Sequence, residues 1–209
     1  MDASVFDEFH SALERLYPKT HERLERDVIA RHSLLYRWPG ASSEDPLVLM
    51  AHMDVVPVVE AEWQHPPFGA EIVGEGEDAE LHARGAIDDK GSLVAIFEAV
   101  ETLVAEGFTP ARDIYLSFGH NEETAGDGAR GIVAHLEERG IHPGLVLDEG
   151  GAVVEGIIPG VDVPTAMIGV AERGVMTLVM TVREQGGHAS TPPAMPATAR
   201  LARAIDRLR

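Results

Sequence analysis

Short, mostly apolar segments alternate along the chain with longer segments of helical periodicity, and this alternation limits the possible folds. The apolar runs cover residues 46–51, 113–118 and 145–147, and they are typical of strands in a sheet. Between them, residues 90–106 and 128–139 place apolar side chains at helical spacing, and a glycine follows each segment. This order predicts an α/β fold with a doubly wound sheet of mostly parallel strands.

The N-terminal part has a different pattern. Residues 5–32 carry apolar side chains at helical spacing, which predicts amphipathic helices with a break at Pro18. A strand is expected over 33–36 and a turn over 39–46. The stretch from 60 to 78 is rich in proline, glycine and acidic residues, and it predicts a long loop with a short strand.

The pattern changes again near the C-terminal end. Residues 174–182 have alternating faces, which predicts a long strand, and residues 198–209 predict a helix. One strand and one helix cannot bury their own apolar faces. We therefore expect a catalytic domain over residues 1–172 and the incomplete start of a second, α+β domain over 173–209.

Composition excludes several classes of function. The net charge is −18 and cysteine is absent, so nucleic acid and anionic membranes are not expected partners, and thiolate chemistry is excluded. The acidic stretch 75–80 is interpreted as an exposed turn. Neither a secretory leader nor an apolar segment long enough to cross a bilayer is visible, which makes a cytoplasmic protein the expectation.

Metal-binding residue types follow three of the predicted strands. His52, Glu122–Glu123 and Asp148 each lie just beyond the C-terminal end of an apolar run. In open α/β sheets, sites are built at this edge. We therefore expect the three groups to converge on one site.

His52 and Asp54 are two residues apart, so both side chains point to the same side if the strand continues. This favours His52 as a metal ligand, with Asp54 bonded to its other ring nitrogen or lying nearby. An isolated histidine is more often structural, and that interpretation is kept for the others: His10, His21, His32, His65, His82, His120, His135 and His142.

Two further acidic pairs have alternative interpretations. One aspartate of Asp88–Asp89 can be a helix cap, but a cap needs one carboxylate, so Asp88 is a candidate ligand bridging two cations. Glu122 and Glu123 diverge on an extended chain, which favours one metal ligand and one general base over a surface pair. Asp148 is a candidate terminal ligand, and Glu149 is expected to have a supporting or structural role.

These residues resemble peptidase family M20, most closely its carboxypeptidase S-like branch, which includes Gly-Xaa carboxypeptidases and N-acyl-amino-acid hydrolases. The matching segments are 32–36, 49–57, 63–69, 84–91, 119–123 and 147–151. The resemblance covers essentially the whole chain. It implies a zinc-peptidase-like catalytic domain, followed by the start of a lid or dimerisation domain.

The resemblance also implies roles for individual residues. The first zinc would be held by His52, Asp88 and Asp148, and the second by Glu123 with the bridging Asp88. The catalytic set would be Glu122 as general base, Asp54 orienting His52, and His188 stabilising the oxyanion, often in the partner subunit of a homodimer. Cobalt or manganese would also suit these ligands.

The sequence departs from the family pattern in two ways. Asn121 stands where an aspartate is expected, and no histidine follows His188 to complete the second zinc site. The expectation is therefore the N-terminal portion of a dizinc hydrolase acting on amide bonds in dipeptides or N-acyl amino acids. The alternatives are a non-catalytic half-protein that binds one metal and needs a C-terminal half, or a structural or regulatory module.

Overall fold

The computed structural model describes residues 3–171, 174, 176–188, 190, 191 and 193–208. They form two compact units, residues 1–150 and 151–209, which are described separately. The predicted domain boundary at 172–173 falls on residues outside the described ones, and it stays a prediction.

The first unit contains four helices and seven strands among its described residues. The helices are α1 (Ala3–Leu16), α2 (Pro18–Arg23), α3 (Lys90–Ala105) and α4 (Gly128–Glu138). The strands are β1 (Glu25–Ile29), β2 (Ser33–Trp38), β3 (Leu47–His52), β4 (Glu71–Val73), β5 (Glu80–His82), β6 (Ile114–Gly119) and β7 (Leu145–Leu147). Short 3-10 helices cover Glu60–Glu62 and Gly76–Asp78.

Five of these strands form the central sheet, in the order β1-β2-β6-β3-β7. The strand β3 runs parallel to β6 and to β7, while β2 is antiparallel to both of its neighbours. Within this sheet only β2 therefore runs against the common direction. The predicted α/β fold with a mostly parallel sheet is confirmed.

Helices cover both faces of the sheet, as a doubly wound fold requires. On one face, α1 and α3 pack on β2 and β6 through a core that includes Phe97, Tyr36 and Phe118. On the other face, Ile132 and Leu136 of α4 pack on the sheet. Both faces of β6 are consequently buried, which explains its mostly apolar sequence.

The prediction of helix throughout residues 5–32 was wrong for its last part. Residues 25–29 form the edge strand β1, which pairs with β2 from Glu25↔Arg37 to Ile29↔Ser33. Helical spacing had included Val28, yet 53% of its surface is exposed. Pairing with a neighbouring strand outweighed a weak local periodicity here.

The loop predicted over residues 60–78 contains one short strand, β4, as expected, and β5 follows it at Glu80–His82. The two short strands β4 and β5 pair antiparallel, with Ile72 opposite Leu81. The acidic stretch 75–80 lies at their connection and is exposed, as expected.

The second unit contains a strand pair, β8 (Ala152–Val154) with β9 (Thr165–Met167), and the helix α5 (Ala197–Asp206). The predicted strand over 174–182 is not formed at residues 174 and 176–182, and Val175 lies outside the described residues. Met176 and Val179 are more than 80% exposed, at 83% and 81%. Without a neighbouring strand to pair with, an apolar segment gains little from the extended ladder geometry. Within the described part of the chain, no helix is both long and apolar enough to cross a membrane.

Candidate metal centre

The parallel register of the sheet brings the predicted site residues to one edge. His52 is the last residue of β3 and lies opposite Gly119, the last residue of β6. The pair Glu122–Glu123 follows β6, and Asp88 lies two residues before the first residue of α3. The structure thus places His52 at the carboxyl end of β3 and Glu122–Glu123 just beyond that of β6, while the assignment of a site to these residues stays a prediction.

His52 is held by hydrogen bonds at both ring nitrogens. Its side chain is almost fully buried; Nδ1 lies 3.1 Å from the backbone oxygen of Asp54, and Nε2 lies 2.8 Å from Oδ1 of Asp88. Burial lowers the pKa of His52, but the bond to Asp88 and the nearby carboxylates outweigh it, so the pKa is raised overall. Nε2 therefore points towards an acidic site.

Glu149 supplies the third donor of a group able to hold a cation. Ligand atoms of His52, Asp88 and Glu149 all lie within 4.8 Å of one another. One imidazole with two carboxylates is a donor set that suits zinc, cobalt or manganese. Burial and the charges of Asp89 and Asp88 raise the pKa of Glu149, since several like charges share a small volume.

The neighbouring Asp148 was the residue predicted to be a ligand. Its Oδ1 accepts a hydrogen bond from the backbone amide of Glu149 at 3.0 Å, and among the described residues it does not join the ligand group. The register of β7 against β3 pairs Leu147 with Leu49. Extended by one residue, it places Asp148 opposite Met50, on the side of the sheet to which His52 points. The assignment of Asp148 stays a prediction, and Glu149 is a candidate that sequence reasoning had given only a supporting role.

Asp54 connects the end of β3 to the loop after β6. Its carboxylate is completely buried. It accepts hydrogen bonds from the backbone amides of Glu122, at 3.0 Å, and Glu123, at 3.1 Å. The same carboxylate lies 3.4 Å from Nδ1 of His52, whereas the backbone oxygen of Asp54 is closer. In this structure Asp54 therefore fixes the glutamate loop as well as the imidazole.

Glu122 reaches the candidate centre, with Oε2 4.0 Å from Nε2 of His52. Burial, together with the charges of Glu123, Asp54 and Asp88, raises its pKa against the opposing effect of His52. A raised pKa suits a carboxylate that must accept and return a proton. The carboxylate of Glu123 is not part of the ligand group formed by the described residues.

The start of α3 is tied to the end of β3 by Asp89, which the sequence analysis named only within a pair that could supply a helix cap, and by Lys90, to which it gave no role. Oδ2 of the buried Asp89 accepts the backbone amide of His52 at 3.1 Å, and its Oδ1 has no hydrogen-bond partner. Nζ of Lys90 donates to the backbone oxygen of Met53 at 2.7 Å. Burial lowers the pKa of Lys90. Their adjacency to Asp88 in the sequence was the only available signal.

Two other predicted positions are described by their own contacts. His188 lies in the second unit, where its Nδ1 is 2.9 Å from Oγ of Ser190, and its catalytic role stays a prediction. Asn121 donates to Oδ1 of Asp127 at 2.8 Å and accepts the amide of Gly128 at 2.9 Å. This unusual residue therefore secures the start of α4.

Comparisons with known proteins identify the family of the chain. The family described as Peptidase family M20/M25/M40 matches residues 48–209. The chain is 39% identical to probable carboxypeptidase S-like 2 of Dictyostelium discoideum, covering 97% of this chain and 39% of the relative. It is 36% identical to N-fatty-acyl-amino acid synthase/hydrolase PM20D1 of Homo sapiens, covering 99% and 41%. The chain thus spans about two fifths of the length of these curated relatives.

Solved structures show the same fold. The M20 family metallo-carboxypeptidase Sso-CP2 from Sulfolobus solfataricus superposes with a TM-score of 0.53 at 22% identity, over 73% of this chain and 33% of that chain. The di-peptidase Dug1p from Saccharomyces cerevisiae gives a TM-score of 0.52 at 16% identity, over 74% and 36%. The family match covers most of the sequence and the two structures share its fold, so the chain belongs to peptidase family M20/M25/M40.

Proposed function

We propose that the complete protein is a metal-dependent hydrolase of amide bonds next to a free carboxylate, in dipeptides or N-acyl amino acids. The observation that carries the proposal is the position of Glu122. Its carboxylate, with a raised pKa, lies 4.0 Å from the imidazole of a group able to bind a cation. A carboxylate beside a metal site is an arrangement that suits metal-assisted amide hydrolysis, in which it acts as the general base.

The metal ligands are proposed from the donors at the sheet edge. His52 and Asp88 would hold the first cation with a carboxylate from the pair Asp148–Glu149, and Asp88 and Glu123 would contribute to a second. Zinc is the proposed metal, two ions in the complete protein. Bound there, the cation would polarise the scissile carbonyl and make water more acidic.

The protein residues move and position the proton. Glu122 takes a proton from the attacking water on a carboxylate oxygen and passes it to the leaving amine. Asp54 holds the backbone of Glu122 in place, since its Oδ1 accepts that amide. His188 is proposed to donate to the oxyanion that forms at the carbonyl.

The substrate class is supported by the named relatives, which include a carboxypeptidase S-like protein and an N-fatty-acyl-amino acid synthase/hydrolase. A small peptide or N-acyl amino acid is therefore the proposed substrate. A homodimer formed through the second domain and a cytoplasmic location are further proposals. Analytical ultracentrifugation and cell fractionation would test them.

The decisive experiment compares Glu122→Gln with wild type in the full-length, zinc-loaded protein. Glutamine keeps the size of the side chain but cannot carry the proton, so kcat on N-acyl amino acids or Gly-Xaa dipeptides should fall by about 10²–10⁴-fold. Zinc content should stay at the wild-type value, because Glu122 is not a proposed ligand. The matched control is Glu106→Gln, an exposed glutamate at the end of α3. Activity that survives Glu122→Gln would overturn the proposal.

A further inference from the structure

The first unit contains a large cavity that the proposed chemistry does not use. Its volume is about 600 Å³, within the range of pockets that bind small molecules. The walls come from α1, the β4–β5 hairpin and the first turns of α3. None of His52, Asp88 and Glu149 lines it.

The lining is almost entirely apolar, and part of it is left open to solvent. Phe6 and Met53 form a buried floor, each less than 10% exposed, at 7% and 4%. Val5, Phe68 and Leu81 also line the cavity, and they are 59%, 66% and 54% exposed. A contiguous apolar surface of this kind indicates a ligand with an apolar body.

Two cationic side chains of the lining have hydrogen-bond donors without a described partner. Nε of Arg84 is buried without a hydrogen-bond partner, and its guanidinium stacks 5.0 Å from the ring centroid of Trp63. Nζ of Lys90 has one described hydrogen bond, to Met53, and lies 6.0 Å from the ring centroid of Phe9. An ammonium has three donors, and a buried unpaired donor costs free energy, so both groups favour an anionic acceptor.

The backbone is shaped to leave room for this cationic corner. Gly85 has a positive φ of 82°, and a Cβ built on it would lie 2.6 Å from Cγ1 of Val55 and 3.3 Å from Nζ of Lys90. The one acidic residue of the lining, Asp54, has both carboxylate oxygens engaged by the amides of Glu122 and Glu123. The cavity is therefore locally cationic in a chain whose net charge is −18.

We infer that this cavity binds a single-chain aliphatic carboxylate, with its tail among the apolar side chains and its carboxylate at Arg84 and Lys90. The apolar walls match a hydrocarbon chain, and the arginine fork matches a carboxylate. This cavity shares Asp54 with the loop of Glu122 and Glu123 but is lined by none of His52, Asp88 and Glu149, and its occupancy does not require metal.

The experiment is a calorimetric titration of the full chain with dodecanoate, below its micelle concentration. Saturable binding of one dodecanoate per chain is expected, with dodecanol binding about tenfold more weakly because it lacks the charge, and no binding of acetate. Arg84→Gln should weaken the binding of dodecanoate about tenfold and leave the binding of dodecanol nearly unchanged. The matched control, Arg130→Gln on α4, should behave as wild type.

A second pair of variants tests the apolar part of the site. Val94→Glu places a carboxylate on a helix position that lines the cavity, where the valine is 44% exposed, and it should abolish dodecanoate binding. Val133→Glu is its control on α4, where the valine is 53% exposed and does not line the cavity. Circular dichroism of each variant establishes that it is folded.

Two further measurements locate the bound ligand and test whether its binding is independent of the proposed metal centre. A diazirine-bearing fatty acid should label peptides containing residues 5–9 and 81–94 after irradiation, and excess dodecanoate should suppress the labelling. His52→Ala should leave dodecanoate binding unchanged, which separates this inference from the proposed hydrolase. No saturable binding, labelling confined to other peptides, or equal affinity for dodecanoate in Arg84→Gln and wild type would overturn it.

Discussion

The carboxylate of Asp54 accepts the backbone amide of Glu122 at 3.0 Å through Oδ1, and that of Glu123 at 3.1 Å through Oδ2. The two glutamates lie in a loop beyond β6, whereas Asp54 lies just beyond β3. One buried side chain therefore fixes the position of the proposed base relative to the imidazole of His52. The parallel pairing of β3 with β6 brings the two segments close enough for this contact.

Replacing this carboxylate by an amide tests its positioning role. Asp54→Asn presents an NH₂ group to a backbone amide and leaves a buried donor unpaired, so the free energy of unfolding should fall by about 1–3 kcal/mol. The ring of His52 keeps its bond to the backbone oxygen of residue 54. Zinc affinity should consequently fall less than in His52→Ala. Urea denaturation and zinc titration measure the two effects, with the exposed Asp78→Asn as control; unchanged stability in Asp54→Asn would contradict the role.

Asp148 and Glu149, which follow β7, are alternative candidates for one ligand position. In the structure Glu149 approaches His52 and Asp88, while the register of β7 directs residue 148 to the side of the sheet that carries His52. We expect Asp148→Asn to weaken zinc binding by at least about tenfold, the range seen for loss of groups that support a metal site, and Glu149→Gln to weaken it less. The two variants are controls for each other in a competition titration. The reverse order would assign the ligand to Glu149.

Much of the fold follows from local sequence. The strands β3 and β6 and the helices α3 and α4 were predicted because each segment has one dominant periodicity and both faces of the sheet are covered. The edge strand β1 was missed because its partner β2, rather than its own residues, determines its conformation. The strand predicted over 174–182 is not formed at the described residues of that range, 174 and 176–182, for the related reason that strand formation depends on a neighbour.

The site was predictable in position but not in detail. His52 and Glu122 could be placed because the ends of parallel strands meet at one edge. The choice between Asp148 and Glu149 depends on a side-chain direction after a strand of three residues. The structural role of Asp89 could not be predicted for a similar reason. Its buried hydrogen bond joins two residues 37 positions apart in the sequence and leaves no local pattern.

A group of histidines, formed by His10 of α1 with the neighbouring His32 and His120, predicts a loss of stability on acidification. The rings of His32 and His120 lie 5.6 Å apart between centroids, and His10 is bonded to the backbone of His32. Burial lowers the pKa of both His10 and His120 below their ordinary value of 6.5. The unfolded state then binds more protons, so this contribution to stability is complete above pH 6.5 and is lost as the pH falls through the lower, folded values.

Urea denaturation at about pH 7.5 and about pH 5.5 checks this expectation, since the interval spans the titration of histidine. Wild type should be less stable at the lower pH, and His120→Gln should reduce the difference because glutamine does not titrate. Between about pH 8 and 9 both proteins should show the same slope, as neither histidine titrates there. An equal acid-induced loss in the two proteins would show that His120 is not responsible.

Asn121 stands where the resemblance predicts an aspartate, and we expect its hydrogen bond to Asp127 to stabilise the protein. Its side-chain NH₂ donates to Oδ1 of Asp127 at 2.8 Å, and this bond lowers the pKa of that carboxyl. Asn121→Asp replaces the donor by a second carboxylate, so the two side chains repel and the anchored start of α4 is weakened. The melting temperature should fall by a few degrees at neutral pH and by less at acid pH, where the carboxylates become protonated. The double variant Asn121→Asp with Asp127→Asn again places a hydrogen-bond donor opposite an acceptor. Differential scanning calorimetry should show that it recovers most of the lost stability. If the double variant is no more stable than Asn121→Asp, the hydrogen bond to Asp127 is not what makes Asn121 important.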